Sequence, residues 1–461
     1  MKPARDDGRP LVTVIVLNYN GAHLLPLCLE ALAAQDLPSG QMAVWVVDND
    51  SRDDSIELLE RDYPWATVIR NARNDGFAGG NNVGLRRVET PFVALLNNDA
   101  APAPDWIRRL VEPFGREGGD RLAAVTGKIV FLPRFLELEL STPAFVPGGL
   151  DGRELGVRVH RVTVDGEDVT DQVLWDRVGY PPEGEGEGRF RWTRAAGPLL
   201  VPVGLDGSRP PGPVRLGLRM VAETAKPVEL AWPGGGTTVK VGPGPQPEDV
   251  EVVMPDGLEL VDVLNNAGSV VFADGYGADR GYQQVDRGQH DEPEEVFAFC
   301  GASVCLRTEA LRAVGPFDDD FFMYYEDTDL SWRLRSAGWS VRYEPTSVAR
   351  HVHAASSVEW SPFFTFHVNR NRLLMLTKNA TARLAAREVL RYPLTTASLA
   401  LRAVAHARHT RSRPPLRPTL LRLRVIGSYL RLLPAMLARR RRIAARAPVG
   451  RAELQRWLVQ R

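Results

Sequence analysis

Three cysteines in 461 residues (Cys28, Cys300, Cys305) form an odd set without metal-ligand spacing. That excludes a disulfide framework and a thiolate metal site, and it predicts a reducing, cytoplasmic setting. Long hydrophobic runs are also missing. No uninterrupted apolar stretch approaches the ~20 residues of a membrane span. The opening Met1-Lys-Pro-Ala-Arg-Asp-Asp-Gly8 lacks the apolar centre of a secretion signal. Net charge is absent too, with 57 basic and 57 acidic residues. What is present, 44% hydrophobic and 25% charged residues, is ordinary for a folded soluble chain of two or three domains.

The zero net charge conceals an asymmetry. Residues 380–461 carry 19 Arg, no Lys and 2 Glu, leaving 38 basic against 55 acidic residues in 1–379. An acidic body with a basic tail predicts a partner for the tail alone. Leu420 to Leu437 places leucines at helical spacing among arginines, and Arg439-Arg-Arg-Arg442 closes the segment. A basic amphipathic helix of this kind suits the anionic inner face of a cell membrane. Nucleic acid is the weaker alternative, because the tail has few aromatics and no nucleic-acid-binding motif is visible. A merely solvated arginine-rich tail is the third reading.

Near the N-terminus the texture is strand, loop, helix, repeated. Leu11–Leu17 is a β-branched apolar run, as a strand covered on both faces requires. It ends in Asn18-Tyr-Asn-Gly21, and a helix follows over 24–34. A second strand, 43–47, runs into Asp48-Asn-Asp-Ser51. A third, 67–69, leads to Asn74-Asp-Gly-Phe-Ala-Gly-Gly-Asn-Asn-Val-Gly84, read as a glycine-rich loop before a helix. A fourth, 92–96, ends in Asn97-Asn-Asp-Ala100, and a fifth covers 122–132. Alternating units of this kind predict a doubly wound α/β sheet, with ligand bound at the carboxyl ends of the strands. Each polar strand end taken alone is compatible with an ordinary turn; four on one sheet edge favour a binding cleft.

From about 133 to 262 the chain turns Gly- and Pro-rich, with period-two segments such as Val157–Val164, Val214–Met220 and Val250–Met254. These predict an inserted antiparallel, sandwich-like β domain whose Trp175, Trp192 and Trp232 serve its core rather than sugar stacking. The α/β texture resumes at 263, with a compact loop at 274–281, a strand over 295–306 and a short strand at 340–343. The organisation expected is therefore 1–132 and 263–378 as two halves of one domain, 133–262 as the insert, and 379–461 as a helical basic tail.

Phe321-Phe-Met-Tyr-Tyr-Glu-Asp-Thr-Asp-Leu-Ser-Trp-Arg333 sets three carboxylates between an aromatic run and a helix start. A carboxylate in a partly apolar cleft gains proton affinity, which suits a general base; Asp327 as helix N-cap is the competing structural reading. A nucleoside diphosphate would need a divalent cation held by oxygen ligands. Asp99 at the end of a central strand is placed to hold it, with His351 as a second ligand, and Asp48 is placed to meet a base or ribose. Asn81 and Asn82 offer neutral hydrogen bonds.

Val12–Asn20, Val47-Asp-Asn-Asp-Ser51, Asn74–Gly84, Leu96-Asn-Asn-Asp99 and Tyr325–Arg333 together resemble the family 2 glycosyltransferases, and more narrowly their rhamnosyltransferase-like branch, over about 11–132 and 263–378. The resemblance implies a GT-A fold and inverting transfer from a dTDP- or UDP-sugar, such as dTDP-rhamnose, to a lipid-linked or cell-envelope glycan, with Mg²⁺ or Mn²⁺. It implies Asp327 as base, Glu326 beside the acceptor, and Asp99 with His351 at the metal. Asn18, Asp48, Asn81 and Asp99 would take the donor, and Gly301 and Trp332 the acceptor. Asn97 departs from the usual first carboxylate of the Asp-X-Asp motif, and the insert lies outside the resemblance. A glycan-binding or scaffolding protein on a degenerate transferase fold is the alternative.

Overall fold

The computed structural model describes residues 9–148, 151–175, 178–184, 186–204, 212–352, 361–410 and 413–460. The chain forms two compact units. One contains residues up to 130, 265–282 and 288 onward, the other 131–264 with 283–287.

In the first unit β1 (Val12–Asn18), α1 (Leu25–Ala33), β2 (Met42–Asp48), α2 (Ser55–Asp62), β3 (Thr67–Arg70), α3 (Gly76–Leu85) and β4 (Phe92–Asn97) alternate. The apolar runs of β1, β2 and β4 lie between helices, so both faces are covered. β5 (Ala100–Pro102), α4 (Trp106–Val111) and β6 (Leu122–Phe131) follow. β1 pairs in parallel with β2 and β4, setting Asn18 beside Asp48 and Leu17 beside Asn97. Register alone thus brings the polar strand ends to one edge.

The glycine-rich segment expected as a loop is largely helix α3. Its glycines allow close approach to the sheet rather than to a ligand. A Cβ on Gly80 would lie 2.6 Å from Leu17, and one on Gly84 2.8 Å from Ile15. Close packing overrides the poor helix propensity of glycine, which costs about 1 kcal/mol per residue relative to alanine.

The second unit holds β7 (Arg134–Ser141), β8 (Arg158–Val164), β9 (Glu167–Asp168), β10 (Arg191–Trp192), β11 (Ala196–Val203), β12 (Val214–Val221), β13 (Lys226–Trp232), β14 (Gly235–Val241) and β15 (Glu248–Met254). They form two antiparallel sheets, ordered β10-β8-β12-β15 and β11-β7-β13-β14, with β9 added to β8. Alternate residues such as Leu136, Leu138, Val162, Leu216, Leu218 and Leu230 share one core with Trp175, and Trp232 packs against it. Trp192 is buried, edge-on to Phe145 and Phe190.

The chain returns through β16 (Leu264–Asn266), β17 (Ser269–Val271), β18 (Gly277–Asp279), β19 (Glu294–Glu295), β20 (Ser303–Arg307), α5 (Thr308–Val314), α6 (Glu326–Ser336) and β21 (Ser340–His351). The large mixed sheet runs β19-β21-β6-β20-β4-β1-β2-β3. Two expectations change here. Residues 296–302 are irregular and turn at Cys300-Gly301-Ala302, so the strand begins only at Ser303. The short strand at 340–343 continues to His351, past Pro345, which reads as a break in sequence but is tolerated by this strand.

Helices α7 (Pro362–Asn379), α8 (Ala382–Thr410), α9 (Arg417–Ala444) and α10 (Arg451–Leu454) complete the first unit. The tail is less detached than its charge suggests. Val425, Tyr429 and Met436 of α9 are buried in a core shared with α7. Arg439 bonds Asp318 at 2.7 Å and Asp320 at 2.6 Å, and Arg440 donates to the carbonyls of Thr377 and Ala380. Half of the four-arginine run is therefore bonded to the rest of the unit. Among the described residues no helix is long and apolar enough to cross a membrane.

Candidate active site

The strand ends build a connected polar floor. Asn18, fully buried, donates from Nδ2 to Asp48 Oδ1 at 3.3 Å and to Ser51 Oγ at 3.2 Å. Its Oδ1 accepts from Asn98 at 2.9 Å, while Asp48 Oδ2 accepts the Ser51 amide at 3.1 Å. Gly21 is required beside this knot, because a Cβ there would lie 2.3 Å from the Asn98 amide. Asn49 extends the floor, donating to Asn74 Oδ1 and accepting from Asn71.

Next to it, Asp99 sits in the turn between β4 and β5, and His351 ends β21 opposite Ala100. His351 Nε2 lies 3.0 Å from Asp99 Oδ1 and 3.2 Å from Asn97 Nδ2. The approach to Asp99 is close but poorly directed, and Asp99 Oδ1 is buried without a well-formed hydrogen bond. Burial opposes charge on both groups, but their mutual attraction prevails: the Asp99 carboxyl is lowered and the His351 imidazole raised from its ordinary value. Among the described residues no cluster of three His, Cys, Asp or Glu side chains forms. A carboxylate oxygen without a donor, facing an imidazole nitrogen, nonetheless suits a hard divalent cation completed by ligand oxygens and water. His353 lies outside the described residues.

The base corner is built from α6 and the turn before β20. Asp327 Oδ2 accepts the Gly301 amide at 3.3 Å, and its Oδ1 accepts the Thr328 amide at 2.6 Å. The Asn97 amide donates to the Ala302 carbonyl at 3.1 Å, so the same turn links Asp327 to the end of β4. Burial pushes the Asp327 carboxyl up, partly offset by those amide bonds. Burial, reinforced by the Asp327 charge, pushes Glu326 up much further, and Glu326 Oε2 is buried with no partner. The N-cap position belongs to Tyr325, in the left-handed region at φ 71°, so Asp327 is not the cap. Asp329 is structural, held by Arg333 at 2.9 Å, Lys378 at 2.7 Å and Asn379 at 2.8 Å.

Asn18, Asp48, Asp99, His351, Gly301 and Asp327 thus fall on one chain of contacts. Two expected site residues face elsewhere, Trp332 and Asn81, and a third, Gly301, contributes no side chain. Trp332 is fully buried, edge-on to Phe297 with ring centroids 5.2 Å apart, because it lies on the core side of α6. Asn81 turns inward and donates to the Phe77 carbonyl one helical turn back. Gly301 is buried, and a Cβ there would meet the Phe77 ring at 3.1 Å, so its contribution is an amide and the absence of a side chain. Sequence reasoning missed Asn98 and Thr328. It also missed Asp279, whose charge reaches both His351 and Cys300 although it lies more than seventy residues from His351 in the chain.

A parallel β3-β2-β1-β4 core, continued by antiparallel strands and carrying carboxylates at its strand ends, defines a GT-A fold. Residues 13–130 match the model described as Glycosyl transferase family 2, and 265–372 match Glycosyl transferase family group 2. Both segments that flank the β insert thus match family 2 glycosyltransferase models. Among curated relatives, Glycosyltransferase AglE of Haloferax volcanii is 29% identical over 114 residues, 24% of this chain and 38% of that protein. The N-acetylglucosaminyl-diphospho-decaprenol L-rhamnosyltransferase of Mycobacterium tuberculosis is 41% identical over 68 residues, 14% of this chain and 22% of that one. The chain spans less than half the length of these relatives. The solved structure of GalNAc-T7 with UDP, GalNAc and Mn²⁺ aligns at a TM-score of 0.41 and 13% identity, covering 81% of this chain and 48% of that one.

Proposed function

We propose that this protein is an inverting glycosyltransferase using a nucleoside-diphosphate sugar. The observation that carries the reading is the half-buried Asp327 carboxylate, with raised proton affinity, linked through Gly301 and Ala302 to the strand edge that holds Asp48 and Asp99. Asp48 and Asn18 receive the nucleoside. Asp327 takes the proton from the acceptor hydroxyl as its oxygen attacks the anomeric carbon from the face opposite the leaving group. The bond to the diphosphate oxygen breaks, and its electron pair leaves with the nucleotide. Glu326, whose proton affinity burial raises, offers the acceptor a hydrogen bond. Asp99 and His351, with Asn97 adjacent, would hold Mg²⁺ or Mn²⁺, which supplies charge neutralisation for the diphosphate.

Rhamnose is the donor sugar favoured by the rhamnosyltransferase relative, and a lipid-linked or envelope glycan the acceptor. The exposed Leu420, Leu423, Leu430 and Leu437 of α9, interleaved with exposed Arg424, Arg431 and Arg441, suit peripheral contact with an anionic inner membrane face. Nucleotide release from a panel of dTDP-, UDP- and GDP-sugars, with acceptor lipid extract and either metal, tests the transfer. Turnover is expected with one donor class and absent in Asp327→Asn. Full turnover by that variant refutes the assigned base.

A further inference from the structure

The loop that delivers Glu326 and Asp327 is held in an unfavourable shape. Phe322, Tyr324 and Tyr325 all have positive φ, at 64°, 70° and 71°. Residues other than glycine avoid positive φ, and such residues persist only where surroundings impose them. None of the three is Gly, Asn or Asp; the Met323 amide, donating to the Phe321 carbonyl at 2.8 Å, closes a tight turn over Phe322 but leaves the shape at Tyr324 and Tyr325 to be explained.

The explanation lies about fifty residues further on, in α7. Asn371 is fully buried, and its Nδ2 stands 2.8 Å from each of three carbonyl oxygens, those of Phe321, Met323 and Tyr324. Three converging carbonyls admit a donor only, so the amide orientation is dictated by its surroundings. Arg370 fixes the other end, donating from Nε to Asn371 Oδ1 at 2.9 Å and from Nη2 to the carbonyls of Asp320 and Phe321, each at 2.9 Å. The Ala78 amide at the start of α3 donates to the Phe322 carbonyl at 3.0 Å, and His367, also of α7, stacks on the Phe322 ring. The Tyr325 carbonyl then receives the Asp329 amide and opens α6.

We propose that Asn371, locked by Arg370, is a positioning residue for Asp327. By gathering three carbonyls it imposes the left-handed path that turns the chain into α6 with the Asp327 carboxylate against Gly301. This rests on Asp327 being the base.

The test is steady-state kinetics and nucleotide binding of Asn371→Asp and Arg370→Lys beside Asp327→Asn. Asn371→Asp keeps the volume but replaces the donor by an oxygen facing three oxygens. Arg370→Lys keeps the charge but cannot hold Asn371 and two carbonyls together. The expected result is a kcat loss on the order of 100-fold for Asn371→Asp, as misplacement by about 1 Å produces, and a smaller loss for Arg370→Lys. Donor-nucleotide Kd should be unchanged, because the strand-end floor is untouched, and the loss should persist well below the melting temperature. The proposal is overturned if kcat stays within threefold of wild type, if the loss vanishes on cooling, or if nucleotide affinity falls in parallel. Should Asn371→Asp not fold, Arg370→Lys alone decides by the same criteria. Full activity in Asp327→Asn would instead remove the base assignment, a separate failure.

Discussion

The two sides of the candidate site are made by opposite means. On the strand-end side, Asn18, Asp48, Ser51 and Asn98 satisfy one another within loops that follow directly from the sheet. On the α6 side, a buried carboxyl, Glu326, and a half-buried one, Asp327, follow a strained loop that α7 holds. The first side is ready to bind as soon as the sheet forms. The second stores unfavourable backbone and unfavourable burial of charge where the proposed chemistry would occur. Affinity should therefore reside on one side and rate on the other.

The sharpest way to break that division is a pair of variants. Asp327→Asn is expected to lower kcat by roughly 10²–10⁴-fold while nucleotide Kd, measured by calorimetry, is preserved. Asp48→Ala should weaken nucleotide binding, with a smaller effect on kcat at saturation. If Asp48→Ala proves to be a pure kcat variant, the division fails. Gly76→Ala probes the seam between the sides. Gly76 has φ 70°, and a Cβ there would lie 2.4 Å from the Phe322 carbonyl oxygen. Overpacking should destabilise by about 1–3 kcal/mol, read as a lowered urea midpoint, and should reduce kcat more than nucleotide affinity.

A gentler probe is pH. Glu326 has a folded pKa above its ordinary value through burial and the Asp327 charge. Its contribution to stability is therefore complete below the unfolded glutamate pKa, near 4.3, and is lost as pH rises towards the folded value, because the unfolded chain releases its proton first. Asp329 works in reverse. Its folded pKa is lowered by Lys378 and Arg333 against the cost of burial, so its contribution is lost as pH falls. Glu326→Gln should match wild type in melting temperature at acidic pH and exceed it increasingly towards alkaline pH. A difference that does not grow with pH would show that Glu326 is already ionised. The smallest effect is expected at the membrane face. Leu423→Ser with Leu430→Ser should change stability by no more than about 0.5 kcal/mol while reducing co-sedimentation with anionic vesicles; unchanged sedimentation would refute the membrane reading. Point changes are needed because removing α9 would also strip Val425, Tyr429 and Met436 from the core.

The same division explains what sequence could reveal. The strand-end side was legible because β-branched runs fix the strands and Asn, Asp and Gly mark their ends, all within a few residues. The α6 side was legible in its carboxylates but not in its geometry. Nothing in Phe321–Tyr325 announces left-handed backbone, and the asparagine responsible is remote. Helix α3 was hidden because glycine argues locally for a loop, while contacts with Ile15 and Leu17 decide for a helix. Trp332 was misplaced because helix phase, not proximity in sequence to Asp327, determines which way it faces.

The docked tail has a consequence for the order in which the molecule is made. Asp318 and Asp320, just ahead of the strained loop, bond Arg439, and the backbone of Val271 and Ala273 is bridged by Val459. A nascent chain can assemble the parallel strands and their polar floor, the proposed nucleotide site, early in translation. It lacks these ties for the catalytic turn until α9 and the stretch around Val459 have emerged from the ribosome. Partial products of synthesis would then hold nucleotide without transferring sugar.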